Sequence, residues 1–186
     1  MPNLYVIAGC NGAGKTTASY TLLPEILNCK EFVNADEIAK GLSPFQPESV
    51  SFPAGRIMLE RVKYLISEQV DFGLETTLST KSYLSLLKSA KSDGYSVILF
   101  FLWLDSFELA KCRVKHRVLK GGHFIPDDVV ERRYKRGIEN LSDFMILADE
   151  WTVADNSTDK IKVIAEGKSN IENTIYNSDL WNQLQG

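Results

Sequence analysis

Leu4-Tyr5-Val6-Ile7-Ala8 runs directly into Gly9-Cys10-Asn11-Gly12-Ala13-Gly14-Lys15-Thr16-Thr17. The first five residues form an apolar run of strand length. From Gly9 to Thr16 the chain satisfies G-x-x-x-x-G-K-[ST], the spacing of a phosphate-binding loop. In such a loop the glycines let backbone N–H groups turn inward around a phosphate, and the helix that follows points its positive end at the same place. Gly9, Asn11, Gly12, Ala13, Gly14, Lys15, Thr16 and Thr17 are therefore the candidate nucleotide-binding residues. Lys15 has the reach for the β- and γ-phosphates, and Thr16 can offer its hydroxyl to Mg²⁺. A tight glycine-rich turn would need neither Lys15 nor the flanking strand and helix. At average residue frequencies a chance match arises on the order of 1% of the time in a chain this long.

Outward from this loop, apolar runs alternate with helical patterns. A helix follows the loop and is stopped by Pro24. Glu31–Asn34 reads as a second strand, about Phe52–Gln69 as an amphipathic helix, and Phe72–Thr76 as a third strand. Lys81–Ser92 reads as a helix closed by Asp93-Gly94, and Ser96–Leu104 as a strand apolar on both faces, suited to the centre of a parallel sheet. Phe107–Leu119 is the next helix, broken by Gly121-Gly122-His123, and Pro126-Asp127-Asp128 opens another that runs to about Leu141. Trp151–Ala154 and Lys160–Ala165 read as strands, and a short helix is expected around Tyr176–Leu184. Strands separated by helices of 10 to 18 residues require parallel crossovers, hence a three-layer α/β sheet. Active residues in such sheets gather at the carboxyl ends of the strands.

The chain has 186 residues, 44% apolar and 24% charged, the balance of an ordinary globular protein. That length suits one domain over residues 1–186 and is short for two. Three scattered cysteines (Cys10, Cys29, Cys112) without CxxC spacing argue against a disulfide framework or a thiolate zinc site and fit a reducing, cytoplasmic setting. The longest apolar run, Val97–Leu104, falls far below the roughly 20 residues that span a bilayer, and no basic residue precedes the first apolar stretch as in a signal peptide. A net charge of −3 argues against a partner such as nucleic acid or an acidic membrane coating the whole surface. The charge is uneven, however. Residues 111–136 hold nine Lys or Arg and three acids, a balance of +6, which leaves −9 elsewhere. Such an island is either a solvated helix face or a place where an anion is handled.

The remaining motifs decide which triphosphate enzyme this is. No Asn-Lys-x-Asp string for guanine occurs, and Asp105 after the fourth strand is followed by Ser106 where a transport ATPase would have Glu. The acids stand at other strand ends: Asp36 after the second and Glu75 near the end of the third. A hydroxyl attacking a γ-phosphate needs a positioned carboxylate to take its proton or hold its metal. Asp36 could do this, or it could simply cap the helix that begins near it. Glu75 could contact substrate or merely end its strand, and Thr76 and Thr77 follow it with hydroxyls.

Taken with the phosphate loop, Phe32-Val33-Asn34-Ala35-Asp36, Phe72-Gly73-Leu74-Glu75-Thr76-Thr77-Leu78-Ser79 and Gly121-Gly122-His123-Phe124-Ile125-Pro126 with Arg132-Arg133-Tyr134 resemble the zeta-toxin-like P-loop kinases over roughly residues 4 to 157. The resemblance implies a core of strand order 2-3-1-4-5, with Asp36 as general base for the acceptor hydroxyl and Glu75 and Thr77 touching substrate. It implies ATP and Mg²⁺ as cofactors, the metal on Thr16 with Asp36 reached through water. It implies a helical Arg-rich lid, about 111–141, closing over the phosphates. An inhibitory antitoxin-type protein is the partner the resemblance raises, but toxicity does not follow from it. Three departures stand out: the family's Glu-Gly-Thr is Glu75-Thr76-Thr77 here, a later Arg is Ser79, and an Asp two before the catalytic one is Asn34. They leave the kinase reading in place and the family's UDP-N-acetylglucosamine acceptor open.

Cations stabilise the charge that spreads over a transferring phosphoryl group, which gives the basic island a task. Arg113 and Arg117 share a face of the helix entering the lid. On the helix leaving it Arg132 and Arg136 share one face, and Arg133 points about 100° away. Arg117 and Arg133 are the expected phosphate contacts. His123 is a candidate substrate contact, and Asn156, in Asp155-Asn156-Ser157 after the last core strand, a candidate adenine-side residue or part of a plain turn. The expected activity is transfer of the γ-phosphoryl of ATP to a hydroxyl of a small polar acceptor, nucleotide sugars included. The alternatives are a regulatory module that binds and slowly hydrolyses ATP, and a polynucleotide 5′-hydroxyl kinase.

Overall fold

β1, Asn3–Gly9, is buried from Leu4 onward because a parallel strand lies on each side of it. In the computed structural model, which describes residues 1–186 except 123, 170, 172 and 186, those neighbours are β3, Phe72–Thr76, and β4, Ser96–Trp103. β2, Glu31–Val33, pairs parallel to β3, and β5, Glu150–Asp155, parallel to β4. The expected order 2-3-1-4-5 is thus present, and the sheet continues beyond it. β6, Lys162–Lys168, and β7, Thr174–Ile175, add antiparallel, giving the order β2-β3-β1-β4-β5-β6-β7 among the described residues. The five-stranded core is parallel as expected, and with these two strands the sheet as a whole is mixed. The cause is local: six residues separate β5 from β6, room for a reversal but not for a crossover helix.

Side-chain alternation on the central strand creates the three layers. Leu4, Val6 and Ala8 enter one apolar cluster with Met58, Val62 and Leu65 of α3 (Ser51–Ser67) and Leu87 and Ala90 of α4 (Ser82–Ser92). Tyr5 and Ile7 face the other way, onto Leu23 and Cys29. Leu23 lies in a single π-type turn, Leu22–Ile26, that follows α1 (Lys15–Thr21) and absorbs Pro24. α2, Ala35–Leu42, leaves the end of β2, and a 3₁₀ turn, Pro47–Val50, leads into α3. At the far edge Trp181 of α7, Ser178–Gln185, stacks on Trp151 with ring centres 5.8 Å apart.

α5, Phe107–Leu119, and α6, Asp127–Leu147, form the helical segment expected over the phosphates. α6 continues six residues past the expected Leu141 because its apolar face does, with Leu141 and Phe144 both buried. Its 21 residues span about 31 Å. Val130 near its start packs in a cluster with Cys10 and Ala13 of the phosphate loop, while Leu141 and Phe144 join the α3–α4 cluster. One helix therefore crosses the carboxyl ends of the strands and ties the two sides of the sheet together there.

That crossing is tight where it meets the segment after β3. Leu78 is fully buried with φ 54°, a left-handed conformation that costs a leucine about 1–2 kcal/mol. Its N–H donates to Thr76 Oγ1 at 3.1 Å, and its carbonyl accepts from Asn140 Nδ2 of α6 at 2.7 Å. A methyl group on Gly137 would lie 2.7 Å from the Thr77 carbonyl oxygen. Gly137→Ala is therefore expected to lower stability, because backbone on both sides must shift, by a net of about 1–3 kcal/mol. The loss appears despite the roughly 1 kcal/mol that alanine gains over glycine in a helix. Urea unfolding of the two proteins measures it, and an equal or higher midpoint for the variant contradicts the close contact.

Candidate active site

The loop after β1 is shaped by contacts a side chain would forbid. A Cβ on Gly9 would sit 2.3 Å from the Leu102 carbonyl oxygen, and one on Gly14, at φ 84°, 2.7 Å from Asn156 Nδ2. That amide donates to the Ala13 carbonyl at 2.8 Å. Arg113 completes the brace, with Nη1 donating to Asn156 O at 2.7 Å and Nη2 to Ser157 O at 3.1 Å. Asn156 thus supports the loop from outside, and Arg113 is committed to the turn that carries Asn156. Lys15 is buried and curls over the loop, donating from Nζ to Cys10 O at 3.0 Å.

The two strand-end acids stand in different surroundings. Glu75 Oε2 accepts from Thr16 Oγ1 and from Asn34 Nδ2, both at 2.8 Å, and Oε1 lies 3.6 Å from Lys15 Nζ. Asp36 has no hydrogen bond or ion pair to its carboxylate among the described residues, although it lines the same cleft. It does not cap α2. Asn34 is the cap, accepting on Oδ1 from the N–H groups of Asp36 at 2.8 Å and Glu37 at 3.3 Å. Asparagine at this position followed by two acids is a cap signal that could have been read from the sequence. Asn34 bridges the two acids' neighbourhoods by serving the helix with its oxygen and Glu75 with its nitrogen.

These groups line one cleft of about 1270 Å³, bounded by the phosphate loop, α2, the Pro47–Val50 turn, the segment after β3, and α5 with α6. Seven Lys or Arg and four acids border it, so it favours an anion. Of the expected phosphate contacts, Arg133 reaches the loop, its Nη1 donating to Asn11 Oδ1 at 3.2 Å. Arg117 lines the cleft and is exposed, as does Arg132, while Arg136 is not on its wall. Thr17 faces the cleft, and so does Thr77, whose Oγ1 is 2.8 Å from Ser79 Oγ. His123 lies outside the described residues. Tyr83 was not a candidate and lines the cleft too, with its hydroxyl 3.5 Å from Met58 Sδ. Burial raises the Tyr83 pKa, the Asp36 carboxylate raises it further and Arg133 opposes the rise, so the three share one electrostatic neighbourhood. Tyr83 sits on a helix with no motif around it, and only the fold turns it toward Asp36.

Residues 1–179 match the Zeta toxin family. The chain belongs to that family. An uncharacterized protein of Haemophilus influenzae is 32% identical over 126 residues, 68% of this chain and 88% of that one. A chain of the AvrRxo1-ORF1:-ORF2 complex solved with ATP has the same fold, at a TM-score of 0.81 and 18% identity. That likeness covers all of this chain, which spans 64% of the other's length. The PezAT chromosomal toxin–antitoxin system of Streptococcus pneumoniae gives a TM-score of 0.69 at 17% identity, covering 92% of this chain and 74% of that one. A gluconokinase and a shikimate kinase also have the fold. Family and fold together support a phosphotransferase of the P-loop kinase type. Among the described residues no helix is long and apolar enough to cross a membrane.

Cys10, inside the phosphate loop, offers a check on the loop's packing. Burial pushes its thiol up to about 11, against the opposing pull of Lys15. At pH 8 about one molecule in a thousand then carries the thiolate, the reactive form. Cys29 is also buried, and Cys112 is exposed. Brief alkylation of the folded protein at pH 8 is expected to label Cys112 alone by mass spectrometry, with three adducts after unfolding. Labelling of Cys10 at a similar rate would mean an open loop.

Proposed function

We propose that this zeta-toxin family member transfers the γ-phosphoryl group of ATP to a hydroxyl of a small polar acceptor, the nucleotide-linked class included. The observation that carries the reading is the contrast within one cleft. A phosphate loop braced on all sides faces a carboxylate, Asp36, that no protein donor engages among the described residues. A module that only senses its bound nucleotide has no use for a cleft that runs on from the phosphate loop to Asp36, Thr77 and Tyr83.

In this reading Lys15 gives up its loop carbonyl for the β- and γ-phosphate oxygens, and Arg133, already at Asn11, meets the transferring group. Arg117 approaches from the α5 side of the cleft. Asp36 accepts the acceptor's hydroxyl proton as the oxygen forms its bond to the γ-phosphorus, and the bond to the β–γ bridging oxygen breaks to release ADP. The Thr16 hydroxyl and the Glu75 carboxylate beside it are oxygen donors that suit Mg²⁺, a hard cation that takes few protein ligands and keeps phosphates and waters. Bound there, it would neutralise charge on the β- and γ-phosphates. Thr77 and Ser79 offer hydroxyls to a polar acceptor beside Tyr83. Asn156, which braces the loop through the Ala13 carbonyl, would stand on the adenine side of the nucleotide in this reading. We further propose a cytoplasmic enzyme held in check by an antitoxin-type protein, on the likeness to the PezAT toxin–antitoxin system and to AvrRxo1-ORF1:AvrRxo1-ORF2, which was solved as a complex of two proteins.

Incubation with γ-labelled Mg-ATP and a metabolite extract, read by mass shift, is expected to reveal a phosphorylated acceptor. Asp36→Asn should reduce that transfer by about 10²–10⁴-fold, the usual contribution of a general base, while ATP binding is retained. Wild-type transfer by the variant would sink the assigned mechanism.

A further inference from the structure

We propose that Glu75 is the carboxylate of the Mg²⁺ site, acting with Thr16, and that it is not a contact for the acceptor. The inference rests on the phosphotransferase reading and divides the two acids of the cleft between its two tasks.

Register fixes the position. Glu75 pairs with Ile7 across β3 and β1, so its backbone stands next to the strand that feeds the phosphate loop. The side chain then meets Thr16 Oγ1 at 2.8 Å, placing a carboxylate against the hydroxyl from which a P-loop protein holds its metal. The other strand-end acid nearby, Asp105, is exposed and takes a hydrogen bond from Ser106 Oγ at 3.0 Å, and it does not line the cleft.

Saturation fixes the role. Glu75 Oε2 already accepts two hydrogen bonds, from Thr16 and Asn34, Oε1 faces the Lys15 ammonium, and the side chain is only 9% exposed. A carboxylate so enclosed is poorly disposed to accept a proton from an incoming hydroxyl or to grip a polar acceptor. It is well disposed to hold a fixed negative charge beside a cation, because its orientation is set by Lys15 and Thr16 of α1 and by Asn34 at the start of α2. Asn34 matters here through its chemistry. An aspartate there could not donate to Glu75 and would add a second negative charge beside it, whereas the amide donates and keeps the acid in place. Asp36, with no such donors, keeps its lone pairs for the acceptor.

The test measures affinity for a fluorescent ATP analogue with Mg²⁺ and with a chelator, without turnover. The wild type is expected to bind more tightly with Mg²⁺. Glu75→Gln should lose about tenfold or more of that metal-dependent gain, the effect of disturbing a metal's supporting group, while Asp36→Asn keeps it. Glu75→Asp, which retains the charge and shortens its reach, is read in the same way should the glutamine variant not fold: a reduced gain supports the assignment and an undiminished gain overturns it. If Glu75→Gln keeps the full gain, or Asp36→Asn loses it instead, the assignment is wrong while the phosphotransferase reading stands. If the wild type binds no nucleotide under either condition, both fall.

Discussion

One carboxylate holds the centre of this molecule together. Glu75 leaves β3 and engages Lys15 and Thr16 of the loop that follows β1, and Asn34 of the segment that follows β2. Three adjacent strands of the sheet thus end in a single hydrogen-bonded knot. An acid with its side chain almost wholly enclosed is costly unless paired and hydrogen-bonded, and here every partner is supplied by residues with their own place in the cleft. Removing any member would leave another uncompensated. Asn34 would lose its second task besides capping α2, and Lys15 would lose the acid that faces it.

α6 imposes the second constraint. It crosses the carboxyl ends of the strands, sharing apolar clusters with the phosphate loop at one end and with α3 and α4 at the other. Its contacts with the segment after β3 leave no room for a methyl group at Gly137, and Asn140 holds the carbonyl of the left-handed Leu78. Arg133 lies one turn before Gly137, so the closeness that fixes the helix also fixes where Arg133 emerges, against Asn11. The helices over the cleft are rooted in the core, and the strained backbone at Leu78 is held by the bonds its N–H and carbonyl make to Thr76 and Asn140.

The phosphate loop and the helices were legible in the sequence because each rests on local information, glycine spacing, apolar runs and helical periodicity, whereas the 2-3-1-4-5 order came from the family resemblance. The antiparallel edge was less legible, since the length of the connection between β5 and β6 had to be weighed against the parallel rule. Long-range partnership was the harder matter. Glu75 reads as a residue at a strand end, and no spacing along the chain reveals that Thr16, 59 positions earlier, donates to it. Asn34 looked like a departure from a family pattern and is instead a cap and a donor at once. Arg113 had the spacing of a phosphate contact and is spent on the Asn156 turn, a difference that only the packing of α5 against that turn could decide.

The basic island shows how charge becomes selective. Lys115 pairs with Asp127 at 2.9 Å and Lys135 with Glu131 at 2.8 Å, both near the surface, where such pairs contribute little. Lys111 and Lys135 also lie over the Phe107 ring. None of these lines the cleft, and neither does Arg136. The remaining five of the nine cations, Arg113, Arg117, Lys120, Arg132 and Arg133, all border it. The cations of this segment are therefore divided: four stand outside the cleft, three of them paired or laid over a ring, and five border it, with Arg113 bracing the Asn156 turn and Arg133 at Asn11. A duplex tracking the outer surface would draw on the first part, and most of that part is engaged with neighbouring side chains. A small anion enclosed in the cleft draws on the second, which is why an acidic protein can still be built around a triphosphate.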